Sequence, residues 1–349
     1  MSPKENFKRF LPESVYIDFD HQEELLELLY QNSWIPASDK IVSVEKPGEG
    51  NMNFVLRVKT NSTSIVIKQS RPWVEKYPQI PAPENRIAVE ATFYQEISND
   101  NFFHRYCPAI IGFDKKNYVL ALEDLGEATD CTFVYKKNST LEDKDLESLV
   151  GFISHLHNSS IGYRKTFPEN AELKILNHTH IFKYPFQEDN GFTLDAIQPG
   201  LQAASIPYKK NSILKENIVP LGDVYLQTHQ TLIHGDFYPG SWLRGKTGIK
   251  IIDPEFSHFG RAEFDLGVMM AHLKMAQVES RALTNVLELY GRPQGFDNQL
   301  FCGFCGVEIM RRIIGLAQLP FDLNLKEKSA LLELARQLII TKKETPLFK

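Results

Sequence analysis

The chain has 349 residues, of which 42% are hydrophobic and 24% are charged, and its formal net charge is −5. This length and apolar content exclude a disordered chain and are typical of one large or two ordinary domains. The acidic balance gives no electrostatic basis for binding nucleic acid or an anionic membrane, so we expect a small soluble partner and neither of those two.

The amino terminus has no apolar segment of the kind found in secretory signals, and no window of about 18 uninterrupted apolar residues occurs. We therefore expect a cytoplasmic protein. Four cysteines, Cys107, Cys131, Cys302 and Cys305, are too few and too scattered to predict a disulfide framework. Cys302 and Cys305 form a C-x-x-C pair without a second cysteine pair or a histidine nearby, so we predict that they pack in a helix.

The first part of the chain, 1–123, is predicted to form a lobe that consists of a sheet and one helix. An amphipathic helix over 21–31 precedes the sheet in the sequence. Short β-branched runs separated by turn sequences indicate an antiparallel sheet, with strands at 41–44, 53–58, 64–69, 108–113 and 118–122. The helix of this lobe is predicted over about 84–97.

The second part, 124–349, is predicted to be a mainly helical lobe. Apolar residues recur at helical spacing over 140–157, 222–230, 263–277, 281–290, 298–317 and 325–341, and a strand hairpin is predicted over 231–253. The segment 177–212 is rich in Asn, Pro and Gly, so we expect an irregular insertion that covers a substrate. A sheet followed by helices predicts an α+β fold of two lobes.

Lys68 interrupts a strand that is otherwise apolar on both faces, so its ammonium needs a nearby anion. On the helix 84–97, Glu90 lies on the same inward stripe as Ile87, Ala91 and Tyr94. We predict that Glu90 pairs with Lys68 and fixes the lysine where nucleotide phosphates can reach it. A purely structural ion pair is the alternative.

The turn between the predicted strands 41–44 and 53–58 contains Gly48 and Gly50, followed by Asn51 and Asn53. Two glycines spaced one apart can bring backbone N–H groups close to phosphate oxygens. The segment is neither a Walker A loop nor a full G-x-G-x-x-G motif, and by itself it indicates a hairpin turn. Its position before Lys68 favours a nucleotide-binding role.

The most specific signal is a cluster of acids near the centre of the chain. An apolar run ends at His234 and Gly235 and is followed by Asp236, which we predict to be a base that accepts a proton from a substrate hydroxyl. Ser241 follows five residues later, and Asp253 and Glu255 come after the second apolar run. Because side chains alternate along an extended segment, we expect Asp253 and Glu255 to point to the same side, where two oxygen ligands suit Mg²⁺.

Two further features lie around this cluster. Asp265 stands at a predicted helix start, where its carboxylate can accept backbone N–H groups and brace the loop of Asp236. His234 has apolar neighbours and is interpreted as a buried structural residue. Arg311 and Arg312 lie in an apolar helix and suit an anionic or hydroxyl-rich ligand, or alternatively Glu308 pairs with Arg312 on an ordinary helix surface.

The motif His234-Gly-Asp-x-x-x-Gly-Ser241, followed by Ile252-Asp-Pro-Glu-Phe256, resembles the catalytic and metal-binding motifs of the aminoglycoside phosphotransferase and choline kinase superfamily. Within it the sequence is most similar to the 5-methylthioribose kinase family, through Ser241, the D-x-E of Asp253 and Glu255, the glycine turn, Val66-Ile-Lys-Gln69 and the twin-arginine helix from Glu308 to Ala317. The resemblance covers about residues 40–340.

This resemblance implies a protein-kinase-like fold and an ATP- and Mg²⁺-dependent kinase for small molecules. It implies Asp236 as the base, Asp253 and Glu255 with Ser241 as metal ligands, Lys68 and Glu90 as the nucleotide-positioning pair, and Arg311 and Arg312 as sugar contacts. It also implies a homodimer. Adenine is expected near Glu123 and Leu125, with ATP between the two lobes. The sequence departs from the family in having no tryptophan within 177–212.

The leading hypothesis is therefore phosphorylation of 5-methylthioribose or a related sugar. One alternative is a kinase for another alcohol, such as an aminoglycoside or a choline-like amine, although an amine would call for an acidic pocket. The non-enzyme alternative is a nucleotide-binding pseudokinase, which would be expected to lack Lys68, Asp236 or Asp253, and all three are present.

Overall fold

The structure is a computed structural model that describes residues 2–48, 50–159 and 166–348. The described residues form two compact units. The first comprises those within Met1–Ala128, Thr166–Leu173 and Lys250–Phe256, and the second those within Thr129–Lys165, Lys174–Ile249 and Ser257–Lys349. The lobe boundary after residue 123 stays a prediction.

The first unit contains an antiparallel five-stranded sheet. In chain order its elements are α1 (Pro3–Phe10), α2 (Gln22–Gln31), β1 (Ile41–Glu45), β2 (Phe54–Thr60), β3 (Ser64–Gln69), β4 (Trp73–Val74), β5 (Tyr77–Pro81), α3 (Arg86–Ile97), β6 (Ile110–Asp114) and β7 (Val119–Glu123). The strand order is β1-β2-β3-β7-β6. The predicted strands and the helix α3 are present, whereas α1, β4 and β5 were not predicted.

The core of this unit lies between the sheet and α2. Leu25, Leu28 and Leu29 of the helix pack with alternate residues of the central strands, namely Leu56, Val58, Ile65, Ile67, Val119 and Ala121. Alternation places these side chains on one face, and burial of branched and aliphatic residues stabilises the sheet. As a consequence, Lys68 lies on the opposite face of β3 from Ile65 and Ile67.

The second unit is mainly helical. Its elements are β8 (Ala128–Asp130), α4 (Asp143–Asn158), α5 (Ala171–His178), α6 (Leu201–Lys209), α7 (Ser212–Leu226), β9 (Thr231–Ile233), β10 (Trp242–Gly245), β11 (Gly248–Ile251), β12 (His258–Gly260), α8 (Ala262–Met275), α9 (Ser280–Tyr290), α10 (Asn298–Ile314) and α11 (Leu325–Thr341). β8, α5 and β11 each include residues of both units. None of the helices in the described ranges is long and apolar enough to span a bilayer.

α10 is the central helix of the second unit, and every residue from Phe301 to Ile314 is buried. Glycines let its neighbours come close. A Cβ at Gly267 of α8 would lie 3.0 Å from the backbone nitrogen of Cys305, and one at Gly306 would lie 2.7 Å from the carbonyl oxygen of Ala335 on α11. α10 is therefore held between α8 and α11 at backbone distance. Cys302 and Cys305 lie on it, and burial raises the pKa of both thiols.

Three predictions for this part of the chain are wrong. The helix predicted over 222–230 is α7, which begins at Ser212, ten residues earlier, and ends at Leu226. The predicted hairpin over 231–253 does not form as a unit, because β9 pairs antiparallel with β12 and the hairpin consists of β10 and β11 alone. The segment 177–212 is not irregular throughout. It contains the end of α5, a π-helix over Thr179–Lys183 and α6, and Pro207 lies inside α6, where it breaks the helical sequence pattern.

Candidate active site

Lys68 lies on β3 between β2 and β7, and its side chain is buried against two carboxylates. Its Nζ is 2.6 Å from Glu90 Oε1 of α3, and it also contacts Oδ1 of Asp253. Burial lowers the pKa of Lys68, but Asp253 and Glu90 outweigh it, and the pKa is raised above its usual value. Glu90 is fully buried, and its pKa is raised by burial against the opposing charge of Lys68. The lysine is therefore a fixed cation.

Glu255 belongs to a second group of buried polar residues in the same unit. Asn53 donates from Nδ2 to Glu255 Oε2 over 3.0 Å, and Arg86 donates from Nε to Asn53 Oδ1 over 2.9 Å. The Arg86 Nε is also 3.4 Å from Glu255 Oε2. Burial raises the pKa of Glu255 to about 8 despite the charge of Arg86. This group connects the glycine turn, α3 and the metal motif.

Sequence reasoning missed Arg86. Its position four residues before Glu90 places both on the inward stripe of α3, and this spacing was a signal that could have identified it. Besides Asn53, it donates to the carbonyl oxygens of Met52, Arg71, Trp73 and Pro83. Arg86 therefore ties the end of the glycine turn to α3.

The other predicted nucleotide contacts lie on turns of this unit. A Cβ at Gly50 would lie 2.6 Å from the carbonyl oxygen of Asn53, so the turn there needs glycine, whereas Gly48 has nothing within 4 Å. Asn51 is exposed, and its carbonyl oxygen accepts from the backbone N–H of Lys76. Glu123 ends β7 with an exposed side chain, and Leu125 is partly buried beyond it.

The segment around Asp253 is not extended, so the strand alternation assumed for Asp253 and Glu255 is wrong. β11 ends at Ile251, Asp253 has a φ of 63°, and Pro254–Phe256 forms a 3-10 turn. The two carboxylates are nevertheless close enough that Asp253 contributes to the raised pKa of Glu255. In the described ranges no group of three or more His, Cys, Asp or Glu side chains is arranged to hold a metal. Two hard carboxylates fit a Mg²⁺ that takes its other ligands from phosphates and water.

The loop that carries Asp236 is held by the first turn of α8. The backbone N–H groups of His234 and Gly235 donate to the two carboxylate oxygens of Asp265 over 2.7 and 2.9 Å. Gly235 has a φ of 83°, in the left-handed region where glycine is favoured. Although burial raises the pKa of Asp265, its bonds with His157 and the loop lower it below the usual value. His234 is fully buried.

The Asp236 side chain faces α10 in the second unit. Its Oδ1 is 3.3 Å from Nη2 of Arg312 and 3.9 Å from Nη1 of Arg311. Burial raises the pKa of Asp236, and the two arginines oppose that rise. Ser241 is 2% exposed and donates from Oγ to the backbone carbonyl oxygen of Asp236 over 2.9 Å.

Arg311 and Arg312 are buried, with 7% and 5% exposure, so they do not lie on an ordinary helix surface. Glu308 pairs with both, through Arg312 Nε at 2.6 Å and Arg311 Nη1 at 3.1 Å. The sequence did not identify Tyr238, whose ring centroid lies 4.7 Å from the Arg312 guanidinium carbon. Its place two residues after Asp236 was the available signal.

Comparison with known proteins gives two kinds of relative. A methylthioribose kinase from Bacillus velezensis is 24% identical over 363 residues, which cover 88% of this chain and 89% of that protein. A choline kinase from Streptococcus pneumoniae superposes with a TM-score of 0.54 at 14% identity, over 92% of this chain and 100% of that one. The structure of a spectinomycin phosphotransferase in complex with ADP and spectinomycin superposes with a TM-score of 0.50 at 14% identity. The superposition covers 92% of this chain and 98% of that one.

The structural neighbours, at these identities, show the fold, which is that of the protein-kinase-like phosphotransferases. The model of the phosphotransferase enzyme family matches residues 55–298, which include Lys68, Glu90, Asp236, Asp253 and Asp265. This match spans more than half of the chain. The chain therefore belongs to the phosphotransferase enzyme family and is an ATP-dependent small-molecule kinase.

Proposed function

We propose that the protein transfers the γ-phosphoryl group of ATP to a hydroxyl of a sugar-like acceptor, and that this acceptor is 5-methylthioribose. The observation that carries the proposal is the buried group in which Asp236 faces Arg311 and Arg312 of α10. A carboxylate beside two guanidinium groups can accept a proton from a substrate hydroxyl, while the guanidinium N–H groups donate hydrogen bonds to neighbouring oxygens of the substrate.

In this proposal Asp236 is the general base. Burial alone would favour its neutral form, which cannot accept a proton. Arg312 and Arg311 oppose this effect, and the net result is a raised pKa, so the carboxylate is more basic than an exposed aspartate. An acceptor hydroxyl within hydrogen-bond distance of Oδ would then lose its proton to Asp236 as it attacks the phosphorus.

In this proposal, residues of the first unit bind ATP. Lys68, fixed by Glu90, binds phosphate oxygens of ATP, and the turn containing Gly48, Gly50, Asn51 and Asn53 supplies backbone N–H groups to the same phosphates. The adenine contacts the connector at Glu123 and Leu125. The buried Lys68–Glu90 pair at 2.6 Å supports this assignment, because the lysine is already oriented before ATP binds.

Asp253 and Glu255 of the first unit would hold Mg²⁺, and Ser241 of the second unit stays a predicted metal ligand. The bound ion would neutralise the phosphate charge that develops during transfer. Glu255 fits this role because burial, together with the acids Glu90 and Asp253, raises its pKa to about 8, and a cation would relieve the repulsion among these acids. The Ser241 hydroxyl donates its hydrogen to the carbonyl of Asp236, which leaves lone pairs on Oγ for a metal.

The charges around Asp236 favour a neutral acceptor over an amine. Arg311 and Arg312 are matched by Glu308 and Asp236 within hydrogen-bond or ion-pair distance. A cationic acceptor would therefore meet two arginines and no carboxylate beyond those two in this group. The naming of the curated relative as methylthioribose kinase points to the same choice.

A panel of acceptors in a coupled assay of ADP release tests this proposal. We expect turnover with 5-methylthioribose at least about tenfold above that with choline or an aminoglycoside, since one lost charge interaction is worth about that factor. Faster turnover with an amine would assign the protein to the alternative acceptor class. Binding of Mg-ATP without transfer to any acceptor in the panel would favour the pseudokinase alternative.

The proposal includes three expectations about the protein's surroundings, namely a cytoplasmic location, no nucleic-acid partner and a homodimer. The homodimer is the one that a single measurement tests. Light scattering in solution should give twice the mass of the 349-residue chain.

A further inference from the structure

A continuous row of buried polar side chains leads from the helical core of the second unit to Asp236. Tyr135 Oη lies 2.7 Å from His272 Nδ1, and His272 Nε2 lies 3.0 Å from Glu308 Oε1. Glu308 Oε1 accepts from Arg312 Nε over 2.6 Å, and Arg312 Nη2 reaches Asp236 at 3.3 Å. Neither His272 nor Tyr135 is near enough in sequence to the motifs to be identified from them.

The protonation of His272 follows from its neighbours. Glu308 holds two arginines, and its pKa lies well below the usual value because these cations outweigh the effect of burial. Nε2 of His272 must therefore carry hydrogen to donate to this carboxylate. Nδ1 is then free to accept from the hydroxyl of Tyr135. Burial lowers the pKa of His272 to about 4, so the ring is neutral at pH 7.

A second row of the same composition holds the backbone of the Asp236 loop. Tyr290 Oη lies 2.6 Å from His157 Nδ1, and His157 Nε2 lies 3.2 Å from Oδ2 of Asp265, which accepts the N–H groups of His234 and Gly235. One Tyr–His–acid row thus holds the peptide that precedes Asp236. The other ends on the arginine that contacts its carboxylate.

We propose that His272 is a positioning residue for Asp236, acting through Glu308 and Arg312. His272 donates to Glu308 Oε1, the oxygen that also accepts from Arg312 Nε, and so fixes the position of this oxygen. The position of Oε1 in turn sets the orientation of the Arg312 guanidinium group toward Asp236. The inference rests on the proposed role of Asp236 as the base.

The consequence is a defined change in the acidity of Asp236. The charged groups that face Asp236 are Arg312, Arg311, Glu308 and His234, and those that face His272 are Glu308, Arg312 and Arg311, with Tyr135 and Tyr238 as the neighbouring phenols. Without the donor at position 272, Oε1 of Glu308 keeps Arg312 Nε but loses the partner that fixes its position, so Arg312 is less firmly oriented toward Asp236. The carboxylate then loses part of its stabilising charge, so its pKa rises.

The test compares His272→Leu, which removes the donor, with His272→Gln, whose terminal amide can restore a donor toward Glu308. The carboxyl of Asp236 is titrated directly by carbon NMR of protein labelled at the aspartate carboxyls, with its signal assigned from Asp236→Asn. We expect His272→Leu to raise the Asp236 pKa by about one unit and His272→Gln to restore it. This measurement needs no acceptor.

Kinetics of the same proteins give a second readout. We expect His272→Leu to lower kcat by about tenfold with KM for ATP little changed, and to shift the acid limb of the pH profile upward. Tyr135→Phe, a smaller change, should shift both readouts in the same direction, and remains informative if His272→Leu does not fold. An unchanged Asp236 pKa in the Leu and Phe variants would overturn the inference. If the Asp236 pKa shifts in these variants but the wild type has no sugar-kinase activity, the inference about His272 holds and the proposed function alone is contradicted.

Discussion

The buried cations of the candidate site, Lys68, Arg86, Arg311 and Arg312, each meet at least one acid. Lys68 contacts Glu90 and Asp253, Arg86 lies beside Glu255, and Arg312 bonds to Glu308. Isolated buried charges are costly, so removing one partner leaves the other without compensation. Substitutions at these positions therefore affect stability as well as activity, and the two effects need separate measurement.

Lys68→Met is the residue-level test of the nucleotide side. We expect kcat/KM for ATP to fall by about a hundredfold, because the substitution removes a preorganised cation from the phosphates. Lys59→Met is the matched control, since Lys59 lies on the adjacent strand β2, is 45% exposed and pairs with Glu45. ATP-dependent kinetics on the fraction shown to be folded by circular dichroism measure both. Equal loss in the two variants would contradict the assignment of Lys68.

Some site contacts could be predicted from spacing because they depend on one helix. Glu90 faces Lys68 since it lies on the inward stripe of α3, and Asp265 meets two backbone N–H groups since it lies in the first turn of α8. Contacts that depend on how helices cross could not be predicted. His272 meets Glu308 because α8 and α10 approach at backbone distance, and nothing in the spacing of these residues indicates it.

At the level of elements, most long periodic helices were predicted well, and short or irregular ones were not. The exception is α7, Ser212–Leu226, which carries Pro220 and was predicted as a helix only over 222–230. α11 has the predicted bounds, Leu325–Thr341, because its apolar residues recur over 17 residues. β9 and β12 have three residues each, too few to show a period, so their pairing was missed. The π-helix over Thr179–Lys183 and the 3-10 turn after Asp253 likewise have no distinctive pattern.

Gly306→Ala tests the close packing of α10 against α11. A Cβ there would lie 2.7 Å from the carbonyl oxygen of Ala335, so one helix must shift. We expect a loss of about 1–3 kcal/mol in the free energy of unfolding, the usual cost of overpacking. Gly48→Ala is the control, because a Cβ at Gly48 has nothing within 4 Å. Urea unfolding compares them, and equal stability of both variants would contradict the described packing.

At the scale of the whole molecule, His272 makes stability depend on pH. Its pKa is about 4 in the folded protein, and an unfolded histidine has a pKa of about 6.5. Between these values the unfolded chain binds a proton that the folded protein does not, so stability falls as the pH is lowered from about 6.5 to about 4. This histidine alone accounts for up to about 3 kcal/mol of that loss.

Urea unfolding at pH 7 and pH 4.5 measures this effect in the wild type and in His272→Gln. The glutamine cannot be protonated, so the difference in stability between the two pH values should be smaller in the variant. A variant with the same pH dependence as the wild type would show that His272 titrates normally in the folded protein.

The division of the chain into two compact units matches the division of the proposed chemistry. The first unit carries Lys68, Glu90, Asp253 and Glu255, and the second carries Asp236 with Arg311 and Arg312. The sequence motifs identified both groups and the phosphotransferase family. In the proposal, the choice of acceptor depends on Arg311 and Arg312, and their contacts with Tyr238 and Glu308 could be seen only in the folded structure.

The most direct test of the account is transfer of radiolabelled γ-phosphate from ATP to 5-methylthioribose by the wild type and by Asp236→Asn, with Mg-ATP affinity measured in parallel by calorimetry. We predict that the wild type forms labelled phosphosugar, and that Asp236→Asn lowers transfer by about a thousandfold or more while its Mg-ATP affinity stays within about threefold. Transfer by Asp236→Asn at the wild-type rate, or no labelled sugar from the wild type, would contradict the account.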